Sequence, residues 1–104
     1  MAVTVTWDSE KNRKNIEKHK LPLSLGGAVL DDFLRIERYD CEHSMLGEDR
    51  WQTIGMAGKI LFAVYMERGD TPHIISVRLA DAEERRIYNG DDNIYKDGWR
   101  RVNA

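Results

Sequence analysis

The 104-residue chain has one cysteine and two prolines. Cys41 has no intrachain disulfide partner, so the fold must be held by its core, and a reducing cytoplasm is the expected compartment. No apolar stretch approaches the roughly 18 residues that a membrane-spanning helix needs. The opening "MAVTVTWD" lacks the charged and apolar regions of a signal peptide. There is no excess of positive charge: 16 Lys and Arg against 18 Asp and Glu give a formal net charge of -2. Total charge therefore carries no nucleic-acid signature, and any such signature must lie in how charge is distributed. There is no Gly-rich phosphate loop, no G-x-S-x-G and no internal repeat. Cys41 and His43 form a lone C-x-H with no second pair at zinc spacing, so no metal and no cofactor is expected. "RGD" at 68–70, in a chain without an export signal, reads as a hairpin turn.

What is present fits one small α+β domain. "VTVTW" at 3–7 alternates as a short strand. Asp8 or Ser9 caps a first helix running to about Lys20. "LPLSLGGAVLDDF" predicts a second, weaker helix from about Pro22 to Leu30, with Gly26 and Gly27 lowering its propensity. Strands follow at 34–38, 50–56, 60–66 and 73–79. Their short connections favour antiparallel pairing. Asp81 and Glu84 form a capping-box start to a last helix, which Gly90 ends. The expected architecture is an antiparallel sheet with two N-terminal helices and one C-terminal helix. Residues 1–90 form the domain, and 91–104 are a C-terminal extension, docked or flexible.

The distribution of charge is uneven. "WDSEKNRKNIEKHK" at 7–20 carries Lys11, Arg13, Lys14, Lys18, His19 and Lys20, with Ile16 as its only aliphatic residue. Lys11, Lys14 and Lys18 share one helical face; Asn12, Ile16 and His19 share the next. The lysines are either a solvated face or a track for phosphates, and the second reading needs further positive charge beside them. Arg78, mid-strand in "HIISVRLA", could supply it, with Ser76 on its face and Ile75, Val77 and Leu79 on the other; an ion pair with a nearby carboxylate is the alternative. Arg50 opens its strand just after "HSMLGED", where Glu48 or Asp49 could pair with it. His43, Glu48 and Arg50 lie in one loop-to-strand segment and are the group types that metal-free RNA cleavage uses: two proton carriers and a cation for the phosphate. Trp7, Trp51 and Trp99 could stack on bases or fill core and interface positions.

Three stretches then fall in register. "WDSEKNRKNIEKHKL", "HSMLGEDRWQTIG" and "IISVRLADAEERRIY" resemble the successive signatures of the BrnT toxin family of bacterial type II toxin–antitoxin modules. The resemblance spans residues 7–88. It implies a RelE-like fold, metal-independent ribonuclease activity, and a ribbon-helix-helix antitoxin (BrnA-like) through which alone promoter DNA is bound. The positions it carries over are Trp7, Lys18, His19, His43, Glu48, Arg50 and Arg78. Lys20 stands where the family pattern has glycine, and His73 where arginine is common. The bottom-up alternatives are a non-catalytic nucleic-acid-binding module and a protein-interaction domain.

Overall fold

The structure is a computed structural model that describes residues 3–90 and 96–103. In chain order the elements are β1 (Thr6–Trp7), α1 (Ser9–His19), α2 (Leu25–Leu30), β2 (Ile36–Tyr39), β3 (Arg50–Ala57), β4 (Lys59–Arg68), β5 (Thr71–Leu79) and α3 (Ala82–Asn89). After a 3-10 turn at Lys96–Gly98 comes β6 (Arg100–Arg101). The six strands form one sheet in the order β1-β5-β4-β3-β2-β6. The expectation of a wholly antiparallel sheet is corrected at one edge: β1 runs parallel to β5, pairing Thr6 with His73 and Trp7 with Ile74. Short hairpins fix only the order β3-β4-β5. β1 reaches the sheet through no hairpin, so nothing local sets its direction.

The sheet is covered on both faces. Leu23, Val29 and Leu30, in and just before α2, pack on Leu61, Ala63, Tyr65, Ile74 and Val77. Ile87 and Tyr88 of α3, with Trp99, pack on Ile36, Ile54 and Phe62. These are the α2 face and the α3 face below. The alternation expected for β5 is broken by a bulge, because β4 steps from Val64 to Tyr65 while β5 steps from Ser76 to Ile74. Ile74 and Val77 are therefore the buried pair, and Leu79 is half exposed. A bulge places one extra residue on one strand and cannot be read from a period of two.

α1 docks without an aliphatic stripe. Ile16 is 41% exposed, and the buried residue is Asn15. The Asn15 amide nitrogen donates to the carbonyls of Leu21 and Val77, both at 2.8 Å, and its oxygen accepts from the Val77 N–H at 3.2 Å. Asn12 accepts from the Leu23 N–H at 2.8 Å. The amide of Asn15 thus satisfies the β5 edge beyond the point where β1 stops, as a further strand would. The helix ends at Lys20, which adopts φ 61° and donates its N–H to the Ile16 carbonyl. Lysine performs here the left-handed capping that glycine does at lower conformational cost.

Gly26 and Gly27 shorten the apparent helix signal but set the depth of α2. A Cβ on Gly26 would lie 2.6 Å from Ile74, and one on Gly27 would lie 2.7 Å from the Val3 carbonyl oxygen. α2 therefore lies flush against the sheet. The far end is tied by Asp32, which accepts from the N–H groups of Leu34 and Met56 and from the Tyr88 hydroxyl. The described part of the C-terminal segment docks: β6 pairs with β2, and Arg101 donates to the carbonyls of Leu34 and Tyr88.

Candidate active site

Strand register places a set of polar side chains on the α3 face, past the area that α3 covers. Arg38 on β2 sits opposite Gln52 on β3, and Gln52 sits opposite Val64 on β4. Two residues further along β3, Arg50 sits opposite Met66. Arg38 donates from Nε to the Gln52 side-chain oxygen at 2.7 Å and from a terminal nitrogen to the Asp97 carbonyl at 3.2 Å, while its guanidinium lies 4.5 Å from the Trp99 ring centre.

The loop after β2 returns onto the start of β3. The Asp40 N–H donates to the Arg50 carbonyl, and the Arg50 N–H donates to Ser44 Oγ, both at 2.9 Å. Asp40 is buried, and its carboxylate lies 3.0 and 3.1 Å from Nδ1 of His43. Burial pushes the Asp40 carboxyl upward. The His43 ring and N–H and the Gln52 side chain outweigh that and hold it below the usual carboxylate range. An ionised carboxylate only accepts, so Nδ1 of His43 must carry the hydrogen and the neutral ring presents Nε2 as an acceptor. The His43 side chain is 62% exposed. Arg50 beside it differs from the other arginines of this face: its Nε is buried with no hydrogen-bond partner among the described residues. Glu48 is exposed and closes the tight turn with Met45 through reciprocal backbone bonds of 2.8 and 3.0 Å, which Gly47 permits at φ 82°. Among the described residues no group of three or more His, Cys, Asp or Glu side chains is placed to hold a metal ion.

Arg78 shares the α3 face but not this cluster. It pairs with Phe62, four residues along β4 from the Met66 that faces Arg50. Two strands and four residues put the two arginine Cα atoms roughly 16 Å apart. Arg78 forks onto Glu84 of α3 at 2.8 and 2.9 Å and lies 4.1 Å from the Phe62 ring centre. Near it lies His19, which is driven toward the neutral form by burial first, then by the charges of Lys18 and Arg78. Lys11, Lys14 and Lys18 are exposed. Lys11 lies close enough to His73 to lower its pKa, behind burial and Arg68. The lysine flank of α1 thus borders the α3 face, while Arg13 on the outer side is taken by Glu10 and Glu17. Trp7 is 38% exposed, whereas Trp99 is core.

The structure therefore brings together His43 and Arg50 in one folded loop with Glu48 on the same turn, and Arg78, His19 and Lys18 at the opposite end of the sheet. Sequence reasoning missed Asp40, Gln52, Arg38 and Asn15. Asp40 stands three residues before His43, a spacing that lets a loop carboxylate reach a histidine ring. The other three depend on strand register.

The family model described as "Ribonuclease toxin, BrnT, of type II toxin-antitoxin system" matches residues 7–84. Among solved structures, the 1.1 Å-resolution crystal structure of the Brucella abortus ribonuclease toxin BrnT is similar in fold. It is 24% identical, with 76% of this chain and 97% of that chain covered and a TM-score of 0.57. No curated protein matches. With three quarters of its length, including the His43–Arg50 loop, inside the family model, the chain belongs to the BrnT family of ribonuclease toxins of type II toxin–antitoxin systems.

Proposed function

We propose that this chain is a metal-independent endoribonuclease of RelE-like fold whose chemistry sits in the loop between β2 and β3. The observation that supports this most is the Asp40–His43 pair: a buried carboxylate orients an exposed imidazole in a loop whose backbone closes on Arg50, and the Arg50 Nε has no hydrogen-bond partner among the described residues. In the reaction, the 2′-oxygen of the substrate loses its proton and bonds to phosphorus. The P–O5′ bond breaks and the 5′-oxygen takes up a proton, leaving a 2′,3′-cyclic phosphate and a 5′-hydroxyl. His43, held through Nδ1 by Asp40, accepts the first proton at Nε2 and returns a proton to the leaving 5′-oxygen, with Glu48 as the second proton carrier on the same turn. Arg50 stabilises the pentacoordinate phosphorus. Arg78, His19 and Lys18, with Lys11, Lys14 and Trp7, act on the RNA on either side of the scissile bond rather than on the reacting atoms.

A cognate antitoxin of the ribbon-helix-helix, BrnA-like kind silences the enzyme in the cytoplasm and alone carries the pair to promoter DNA. The test is purified protein with end-labelled RNA, with and without EDTA. Cleavage that persists in EDTA and leaves cyclic-phosphate ends is the expected result. Loss of cleavage in EDTA would remove the metal-free mechanism, and retention of RNA without cleavage would favour a binding module.

A further inference from the structure

On the α2 face, at the end of the sheet away from His43, lies a groove of 460 Å³. Its floor is aliphatic: Leu21, Ala57, Leu61 and Leu79. Leu79 is 51% exposed, a large apolar side chain left open beside an otherwise buried cluster. The polar side chains of the lining are His19, Lys20 and Lys59, and no lining residue is a carboxylate. Lys20 is held over this place by its own cap geometry and by an Nζ donation to the Glu17 carbonyl at 3.0 Å. On α1, Ile16, one turn before Lys20, is itself 41% exposed.

An aliphatic floor with a cationic rim selects its occupant. A nucleic acid would meet the lysines but find no aromatic ring on which a base could stack. A second copy of this chain offers an acidic cluster at Asp81, Glu83, Glu84 and Asp97, but Glu84 is already taken by Arg78 and the cluster carries Arg38 beside it with no exposed leucine-type anchor. A peptide segment with leucine-type anchors flanked by Asp or Glu matches both features at once. We propose that this groove is the anchoring site for an acidic, amphipathic segment of the antitoxin, separate from the surface over His43 and Arg50. The proposal rests on the toxin reading above. The two places lie on opposite faces of the sheet, and the β4 partners of their strands, Leu61 against Leu79 and Met66 against Arg50, are five residues apart. One segment would therefore anchor the antitoxin while another covers the catalytic loop, so that binding and silencing are separable by mutation.

The experiment measures the affinity of the full chain for the antitoxin encoded beside its gene, and RNA cleavage by the free chain, in three forms: unsubstituted, Leu79→Asp, and Lys20→Glu with Lys59→Glu. Thermal melts confirm that each folds. The expected result is at least about tenfold weaker antitoxin binding in both variants, with RNA cleavage unchanged. The charge-reversed variant should also show a smaller salt dependence of binding. Antitoxin affinity unchanged in both variants, with cleavage intact, overturns the groove and leaves the toxin reading standing. Loss of RNA binding instead would assign the groove to nucleic acid, and loss of a dimer in sedimentation of the chain alone would assign it to a second copy; either overturns the proposal. Failure of the unsubstituted chain both to cleave RNA and to bind the antitoxin sinks the toxin reading itself, and the proposal with it.

Discussion

Arg50 and Arg78 project from the same face of the same sheet and have opposite surroundings. Arg78 is forked onto Glu84, stacked on Phe62, and its guanidinium is held even more firmly in the charged form by that carboxylate. Arg50 has a buried Nε without a hydrogen-bond partner among the described residues and a carboxylate-held histidine in the loop that closes on it. A bidentate ion pair consumes the geometry that would otherwise grip a phosphate. The Glu84 fork ties Arg78 to α3, whereas the Arg50 guanidinium is the one proposed to meet the phosphate.

The largest effect should come from Arg50. Arg50→Ala is expected to reduce RNA cleavage by about 100-fold or more, the usual loss when one positioned charge contact to a transition state is removed. Its melting temperature should stay near that of the unsubstituted chain. His43→Ala should lose cleavage to a similar extent, and it should also lower the melting temperature because buried Asp40 loses its ring partner. Single-turnover cleavage of one RNA by both variants and by Arg78→Met reads the comparison directly. If Arg78→Met loses as much activity while remaining as stable, the division between the two arginines is wrong.

The second effect is on stability. Arg78→Met leaves the mostly buried Glu84 without its fork, and Glu84 also closes the capping box of α3 with Asp81. Breaking such a pair should cost about 2 kcal/mol. Urea unfolding of Arg78→Met against Arg50→Ala checks this. Equal midpoints would mean that the Glu84 fork contributes nothing measurable.

These fates were only half legible in the sequence. The capping box at Asp81–Glu84 could be read directly, but that Glu84 also reaches back to Arg78 could not, because one carboxylate can serve both only in three dimensions. The strands β3, β4 and β5 were legible because their apolar runs are bounded by turn residues. The bulge in β5 and the parallel edge strand were not, since neither leaves a local pattern. α1 misled most. A helix with one aliphatic residue reads as a solvated rod, whereas Asn15 docks it by hydrogen bonds that no hydrophobic period reports. His43, Glu48 and Arg50 were recognisable as chemistry-bearing residues. Asp40, which gives His43 its orientation, became visible only when the loop folded back on β3.

The two ends of the sheet also differ in how they should respond to high pH. At the Arg78 end, the Tyr88 phenol is pushed up to about 12 by burial, then by its hydrogen bond to Asp32 and the charge of that carboxylate. At the Arg50 end, Tyr65 is raised by burial and by Glu37. A free phenol titrates near pH ~10. Between that value and the folded one, the unfolded chain binds fewer protons than the folded chain, so stability falls as pH rises. The Tyr88 contribution is complete below pH ~10 and is lost as pH passes about 12, on the order of 2 kcal/mol in all. Denaturant midpoints taken at intervals over that range should slope downward, and Tyr88→Phe and Tyr65→Phe should each flatten part of the slope. A slope that neither substitution changes would place the loss elsewhere.

The smallest effect concerns the lysine flank that runs between the two ends. Lys11 and Lys14 have exposed side chains on the border of the α3 face, and Arg13 on the outer side is already neutralised by Glu10 and Glu17. Each lysine that neutralises one phosphate of a single strand contributes about 0.7 to the slope of log affinity against log salt. Lys11→Glu with Lys14→Glu should therefore reduce that slope by roughly 1.4 if both touch RNA. The cleavage rate of fully bound RNA should hardly change, because both side chains belong to α1, which packs beside β5, two strands from Arg50 on β3. Binding titrations at several salt concentrations, using RNA with a blocked 2′-oxygen so that it survives the measurement, separate the affinity from the chemistry. A slope that stays the same would return these lysines to the solvent.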